Sequence, residues 1–249
     1  TTNRAKSLIA AGRQALVQND LVTARSHFSE AFEIGVDDED ATVLRAELTR
    51  LGNETIFSPR AFANDPLVTR YTIQPGDALA KIATSHKTSA DLLANINGIR
   101  DKHLIRAGQT IKVVDGPFRA VVDKGSFSLD VYLGSTFVRH YPVGLGADDS
   151  TPTGEWRVAT KLTNPTYYPP RGGKIIAADD PQNPLGERWI GLVGVGGEAL
   201  GQERYGIHGT IEPDSIGRAA SMGCIRLHNE DVEELYTFLV EKHSTVTIR

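Results

Sequence analysis

Hydrophobic residues change their spacing twice along this chain of 249 residues, and no single kind of secondary structure satisfies all three patterns. Up to about residue 51 they recur at helical spacing, first Leu8, Ile9, Ala15 and Leu16, then Leu21, Ala24, Phe28, Ala31 and Phe32. Between residues 71 and 114 two short strand-like runs flank two short helical ones. Beyond residue 117 the period falls to two: Phe127, Leu129, Val131 and Leu133 alternate with Ser128, Asp130 and Tyr132 as in a half-buried strand. The expectation is a multidomain α+β chain: a helical segment over 1–53, a linker over 54–69, a small βααβ module over 70–115 and a mostly-β domain over 116–249.

Composition narrows the setting. A chain 40% hydrophobic and 23% charged has the balance of a globular protein, and its net charge of −4 lacks the basic excess of a nucleic-acid binder. No run of about 18 apolar residues is present to span a bilayer. A single cysteine allows no internal disulfide, so cysteine usage assigns no redox compartment. The sequence opens at Thr1 without methionine or signal peptide and reads as a mature or trimmed form.

Within the helical segment, Asn19-Asp20 is a turn that caps a second helix, and the acidic run Asp37 to Asp40 suits the start of a third, ending near Gly52. The order Gly12, Ala15, Ala24, Phe28, Ala31 resembles one tetratricopeptide helical hairpin, with Phe28 filling the space between helices brought close by small residues. Such a bundle serves as a spacer or as a dock for a protein partner. The linker follows, with Pro59 and Pro66 and little periodicity.

In the βααβ module, YTIQPGD gives a strand, a Pro75-Gly76 turn and an Asp77 cap; TSADLLANING gives a second capped helix ending at Gly98; LIRAGQTIKVV gives a turn and a closing strand. The whole module resembles a LysM domain. That resemblance implies binding to N-acetylglucosamine-containing glycans such as peptidoglycan or chitin, in a groove between Gly76, Asp77, Ala78 and Leu79 on one side and Asn97, Gly98, Ile99 and Ile105 on the other. Leu79 and Ile105 would form its apolar floor.

The mostly-β domain holds the one cysteine, in SMGCIRL, residues 221 to 227. Strands are expected at Ala120 to Val122, Phe137 to Val143, Gly154 to Ala159, Trp189 to Leu192, Gly206 to His208 and Thr245 to Ile248, with a helix starting near Asn229 or Asp231. His208 lies sixteen residues before Cys224 at a strand end. A cysteine nucleophile needs a base, donors aimed at the oxyanion and local positive charge. His208 can supply the first, the amides of Gly223 and Cys224 the second and Arg226 the third, whereas composition alone leaves an inert core cysteine equally open.

The pattern HG(T)…S-x-G-C-[IV]-R-L resembles the YkuD family of L,D-transpeptidases, with His208-Gly209 and Ser221 to Leu227 matching throughout and STPTGEWRV and NPTYYPP in support upstream. The resemblance implies that Cys224 attacks the third residue of a tetrapeptide stem, expels D-alanine and passes the acyl group to a neighbouring stem as a 3→3 cross-link, and that carbapenems acylate the same thiol. It gives His208 the role of base, Gly209 that of orienting the ring through its carbonyl, Ser221 that of supporting the Cys-bearing loop, and Tyr205, Thr210 and Met222 contacts with substrate. Tyr167, Tyr168 and Arg171 fall in a Pro/Gly-rich stretch suited to a lid. No cofactor and no metal are called for, since no second cysteine or clustered carboxylate accompanies His208 and Cys224. The partners implied are the glycan strands and peptide stems of peptidoglycan, with a protein partner for the helices and no nucleic acid, and the setting implied is extracytoplasmic, at the cell envelope or periplasm. The alternatives are an L,D-carboxypeptidase or wall hydrolase, and a non-catalytic wall-binding protein.

Overall fold

Thr2, Asp20 and Asp37 each turn a side-chain oxygen onto the amide three residues ahead, and so open three helices: α1 Asn3–Val17, α2 Leu21–Ile34 and α3 Asp38–Thr55. A cap of this kind is worth about 1 kcal/mol. The coordinates are a computed structural model and describe residues 1–169 and 172–249. They form two units, Thr1–Phe118 with Val131–His140, and Arg119–Asp130 with Tyr141–Arg249.

In the first unit Ala5, Ala24, Phe28, Leu44, Leu48 and Leu51 build one buried cluster that Phe137 joins. The Phe28 ring lies where Gly12 has no side chain, as the spacing of small residues predicts. The stretch after α3 is pinned rather than loose. Asp65 accepts two hydrogen bonds from the Arg25 guanidinium, at 2.9 and 2.7 Å, and Arg25 also donates to Thr55 Oγ1 at 2.6 Å. Lys112 points its ammonium at three carbonyls, those of Thr55, Ser58 and Arg60, at 2.6 to 2.9 Å. Burial holds the Lys112 ammonium down, at a pKa of about 8. Arg25 and Asp65 are both buried, so Asp65→Ala strands a guanidinium in the interior; the expected cost is about 3–5 kcal/mol, read as a lowered unfolding midpoint.

Two strands, β1 Val68–Thr72 and β2 Thr110–Val114, pair antiparallel beside α4 Leu79–Ser85 and α5 Ala90–Asn97. Ser89 caps α5, and Gly98 ends it in the left-handed conformation. Asp77 does not cap α4: its carboxylate instead accepts from the Gln74 amide and the Tyr71 hydroxyl, closing the Pro75-Gly76 turn.

The remaining strands are β3 Phe118–Asp123, β4 Ser128–Leu133, β5 Thr136–Pro142, β6 Leu145–Gly146, β7 Gly154–Thr163, β8 Arg188–Gly196, β9 Tyr205–His208, β10 Ala219–Ser221, β11 Ile225–Arg226 and β12 Thr245–Ile248. Eight of them form one sheet in the order β11-β9-β8-β7-β12-β3-β4-β5, while β6 and β10 pair separately and in parallel. β4 begins at Ser128, one residue later than the alternation suggests. Ser128 and Asp130 are buried along with Leu129, Val131 and Leu133, so the strand is covered on both faces rather than one. Helix α6, Asn229–Phe238, buries Val232, Leu235 and Phe238. The order in which β9 and β11 enter the sheet decides the chemistry. They run parallel as neighbours at one edge, and the connection between them carries the cysteine.

Candidate active site

His208 is the last residue of β9 and sits across from Trp189 of β8 in the antiparallel register. The two rings stack with centroids 5.7 Å apart and planes within 20°. Nδ1 lies 2.6 Å from the Gly209 carbonyl oxygen, which can only accept, so Nδ1 carries the hydrogen. Nε2 is thereby left as a bare lone pair, the state required of a general base.

The parallel ladder of β11 on β9 pairs Ile225 with Ile207 and Arg226 with His208. Cys224 stands one step before that ladder begins, and the Gly206 amide donates to the thiol. Cys224, His208 and Arg226 all open onto one cavity of about 1020 Å³.

The loop holding Cys224 is braced from within and from outside. Ser221 Oγ donates to the Cys224 carbonyl at 2.6 Å and accepts the Gly223 amide at 3.1 Å. Thr151 Oγ1 donates to the Gly223 carbonyl at 2.9 Å and accepts the Gly146 amide at 2.8 Å. Gly223 has φ +126°, and a Cβ there would stand 2.7 Å from the Tyr205 ring and 3.0 Å from the Ser150 carbonyl oxygen. Any side chain is both strained and blocked at that position. Ser221 thus ties the backbone on both sides of the Gly223–Cys224 peptide. The Gly223 amide, however, is engaged by Ser221, which removes it from the expected pair of oxyanion donors. The Cys224 amide has no acceptor among the described residues.

Burial sets the protonation states. It pushes the Cys224 thiol up, against the Gly206 amide and the Arg226 charge, which pull it down. It pulls His208 down to about 4, with the Gly209 carbonyl acting upward and Arg226 downward. The resting pair at neutral pH is therefore a thiol beside a neutral imidazole, not the thiolate held by an imidazolium that cysteine chemistry suggests. Arg226 is itself tied to Glu212 at 2.8 Å, which offsets part of its charge at the thiol.

Tyr205 and Met222 line the cavity, as do Tyr167 and Tyr168. Tyr167 is anchored by paired backbone bonds to Ile176 at 2.9 and 3.1 Å, leaving Tyr168 exposed at the rim. Pro170 and Arg171 lie outside the described residues. Thr210 is not at the cavity. It is buried, its hydroxyl accepts the Glu212 amide and its own amide donates to Asn229, so the substrate contact expected of it does not hold.

The glycan-binding set divides. Gly76, Ala78 and Gly98 are exposed, and Asp77, Ile99 and Ile105 are half-buried. Leu79 is 1% exposed and belongs to the module's core, where Ile99 and Ile105 pack against it, so it floors the core rather than a groove. Asn97 spends its carboxamide on the Leu93 carbonyl and on both backbone groups of Lys112.

A model of the L,D-transpeptidase catalytic domain, YkuD, matches residues 117–248. The chain belongs to the YkuD family. A LysM domain model matches residues 71–114. Among relatives of this YkuD chain, a Bacillus subtilis protein provisionally named L,D-transpeptidase YkuD is 34% identical over 186 residues, covering 72% of this chain and 97% of that protein. Its namesake in Bacillus licheniformis is 33% identical over 173 residues, covering 66% and 90%. A solved L,D-transpeptidase from Mycobacterium tuberculosis H37Rv is 12% identical, covers 73% of this chain and 89% of its own, and superposes with a TM-score of 0.42.

Three neighbours of the site escape a reading of the sequence: Thr151, Trp189 and Asn229. Thr151 lies inside STPTGEWRV, a stretch the resemblance points to without giving any residue of it a role. Trp189 and Asn229 were legible only as the start of a strand and of a helix.

Proposed function

We propose that this family member is a peptidoglycan L,D-transpeptidase working through an acyl-enzyme on Cys224. One observation carries the reading: adjacent parallel strands bring Cys224 and a His208 with Nε2 unprotonated onto the same cavity, in a cysteine loop that the Ser221 and Thr151 hydroxyls brace. As Sγ bonds to the carbonyl carbon of the stem's third residue, the thiol proton passes to Nε2. The carbonyl oxygen becomes an oxyanion facing the Cys224 amide. The intermediate then expels the amine of D-alanine, which takes the proton from Nε2, and a thioester remains. The side-chain amine of a diamino acid on a second stem attacks the thioester, His208 accepts its proton, and the thiol is restored as the 3→3 amide forms. Water in place of the amine gives carboxypeptidase activity.

Neutral partners suit this order of events, because the proton moves only as the C–S bond forms and no ion pair has to be held in a buried site. Tyr205, Met222 and the 162–169 arm would contact the stem, and Arg226 would meet its carboxylate by exchanging with Glu212. The matched LysM domain supports recognition of peptidoglycan glycans through the exposed backbone of Gly76, Ala78 and Gly98, and such a substrate places the chain at the cell envelope. The N-terminal helices contribute no group to the chemistry and would serve a protein partner.

Incubation with purified tetrapeptide muropeptides, followed by mass analysis, tests this. The expected products are free D-alanine and a dimer joined 3→3. D-alanine with tripeptide alone points to hydrolysis, and unchanged substrate with folded protein removes the enzymatic reading.

A further inference from the structure

The carbonyl that holds His208 belongs to a peptide unit gripped from its other edge. The Gly209 carbonyl accepts His208 Nδ1–H at 2.6 Å, and the amide of the same unit, that of Thr210, donates to Asn229 Oδ1 at 2.9 Å. This peptide is trans, so its C=O and N–H point in opposite directions from one plane. Two bonds on opposite edges fix the plane's rotation. Each also polarises the group in a way that strengthens the other.

We propose that Asn229 is a positioning residue for His208, acting through the Gly209–Thr210 peptide. The inference rests on the reading of His208 as the base. Asn229 opens α6, whose Val232, Leu235 and Phe238 are buried, so its carboxamide is carried on a fixed element. The space it occupies requires that residues 209 and 186 both lack a side chain: a Cβ would stand 2.1 Å from Asn229 Oδ1 at the first and 2.4 Å at the second. Without Asn229 the peptide is free to turn its carbonyl away from the ring. An imidazole released in this way populates the tautomer with hydrogen on Nε2, and that tautomer cannot take the thiol proton. Stacking on Trp189 covers the ring's face but does not choose between its nitrogens. The choice falls to the Gly209 carbonyl, and Asn229 aims that carbonyl.

Nitrogen-15 NMR of the intact chain labelled at histidine, with the His208 signals assigned by their loss in His208→Gln, reads the tautomer directly near neutral pH. The wild type is expected to show the Nδ1–H form alone. In Asn229→Ala the Nε2–H form should appear, and acylation of Cys224 by a carbapenem should slow about ten-fold, the ordinary worth of one hydrogen bond. Asn229→Asp keeps an acceptor oxygen and should restore both tautomer and rate, which a merely structural role does not explain. Should Asn229→Ala fail to fold, Asn229→Leu, similar in size and without an acceptor, carries the same comparison. A folded variant with the wild-type tautomer and rate overturns the proposal. His208→Ala separates the two levels. If it acylates normally, the reading of His208 as base falls; if it is slow while Asn229→Ala is not, only the role of Asn229 falls.

Discussion

Incubated with a carbapenem, the folded protein is expected to gain the drug's full mass at Cys224, and Cys224→Ala to gain none. The strained lactam carbonyl takes the place of the stem's carbonyl. Sγ attacks it, His208 Nε2 receives the proton, the lactam C–N bond opens, and the leaving nitrogen takes the proton back. Because that nitrogen stays tethered to the acyl group, nothing departs and the mass is conserved. Removing the base in His208→Ala should slow adduct formation by about 10²–10⁴-fold. Soluble chito-oligosaccharide should leave the rate unchanged, since the drug carries no glycan for the LysM module. Release of D-alanine from tetrapeptides without a carbapenem adduct would mean a cavity too narrow for the bicyclic drug. Absence of both reactions in a folded sample would leave a wall-binding protein as the better account.

The parts of this molecule that could be read from its sequence are those carried by period or by contiguous motif. Alternating and helical spacing located the helices, the βααβ module and most strands, because burial repeats with the local geometry of each element. The strand edges at His208 and at Thr245–Ile248 fell where expected. Polar residues were harder to place, because their partners are distant in sequence. Asp65 was assigned to a linker yet binds Arg25 forty residues away, and Lys112 caps carbonyls more than fifty residues back. Asp77, Asn97 and Thr210 were given a helix cap, a glycan contact and a substrate contact, and each instead satisfies backbone groups of its own turn or neighbouring element. The same limit hid Thr151, which reaches the cysteine loop across 72 residues. Protonation is not legible in the sequence for a related reason. Residue types name the base and the cation, but burial, which the sequence does not display, decides which form they take.

The burial of His208 predicts how both activity and stability depend on acid. Its imidazole is held down to about 4, first by removal from water and then by the Arg226 charge, against the pull of the Gly209 carbonyl. In an unfolded chain the same ring titrates near 6.5, about the ordinary value. Between these values the unfolded state binds a proton that the folded state refuses, so stability rises with pH across the window and falls as pH drops through it. The contribution is present in full above about 6.5 and is lost by about 4, a swing of roughly 3 kcal/mol. Carboxylates elsewhere titrate over part of the same range, so the quantity to measure is the difference between wild type and His208→Gln. The variant keeps a donor for the Gly209 carbonyl but cannot titrate. Chemical denaturation from pH 7 to pH 4 should show the wild type losing roughly 3 kcal/mol more than the variant. Turnover reports the same ring independently. The base is consumed only when it is protonated beforehand, so the acid limb of kcat/KM should fall near pH 4 instead of in the usual imidazole range. A limb near 6.5, with parallel stability curves for the two proteins, would place His208 in contact with water in the working enzyme.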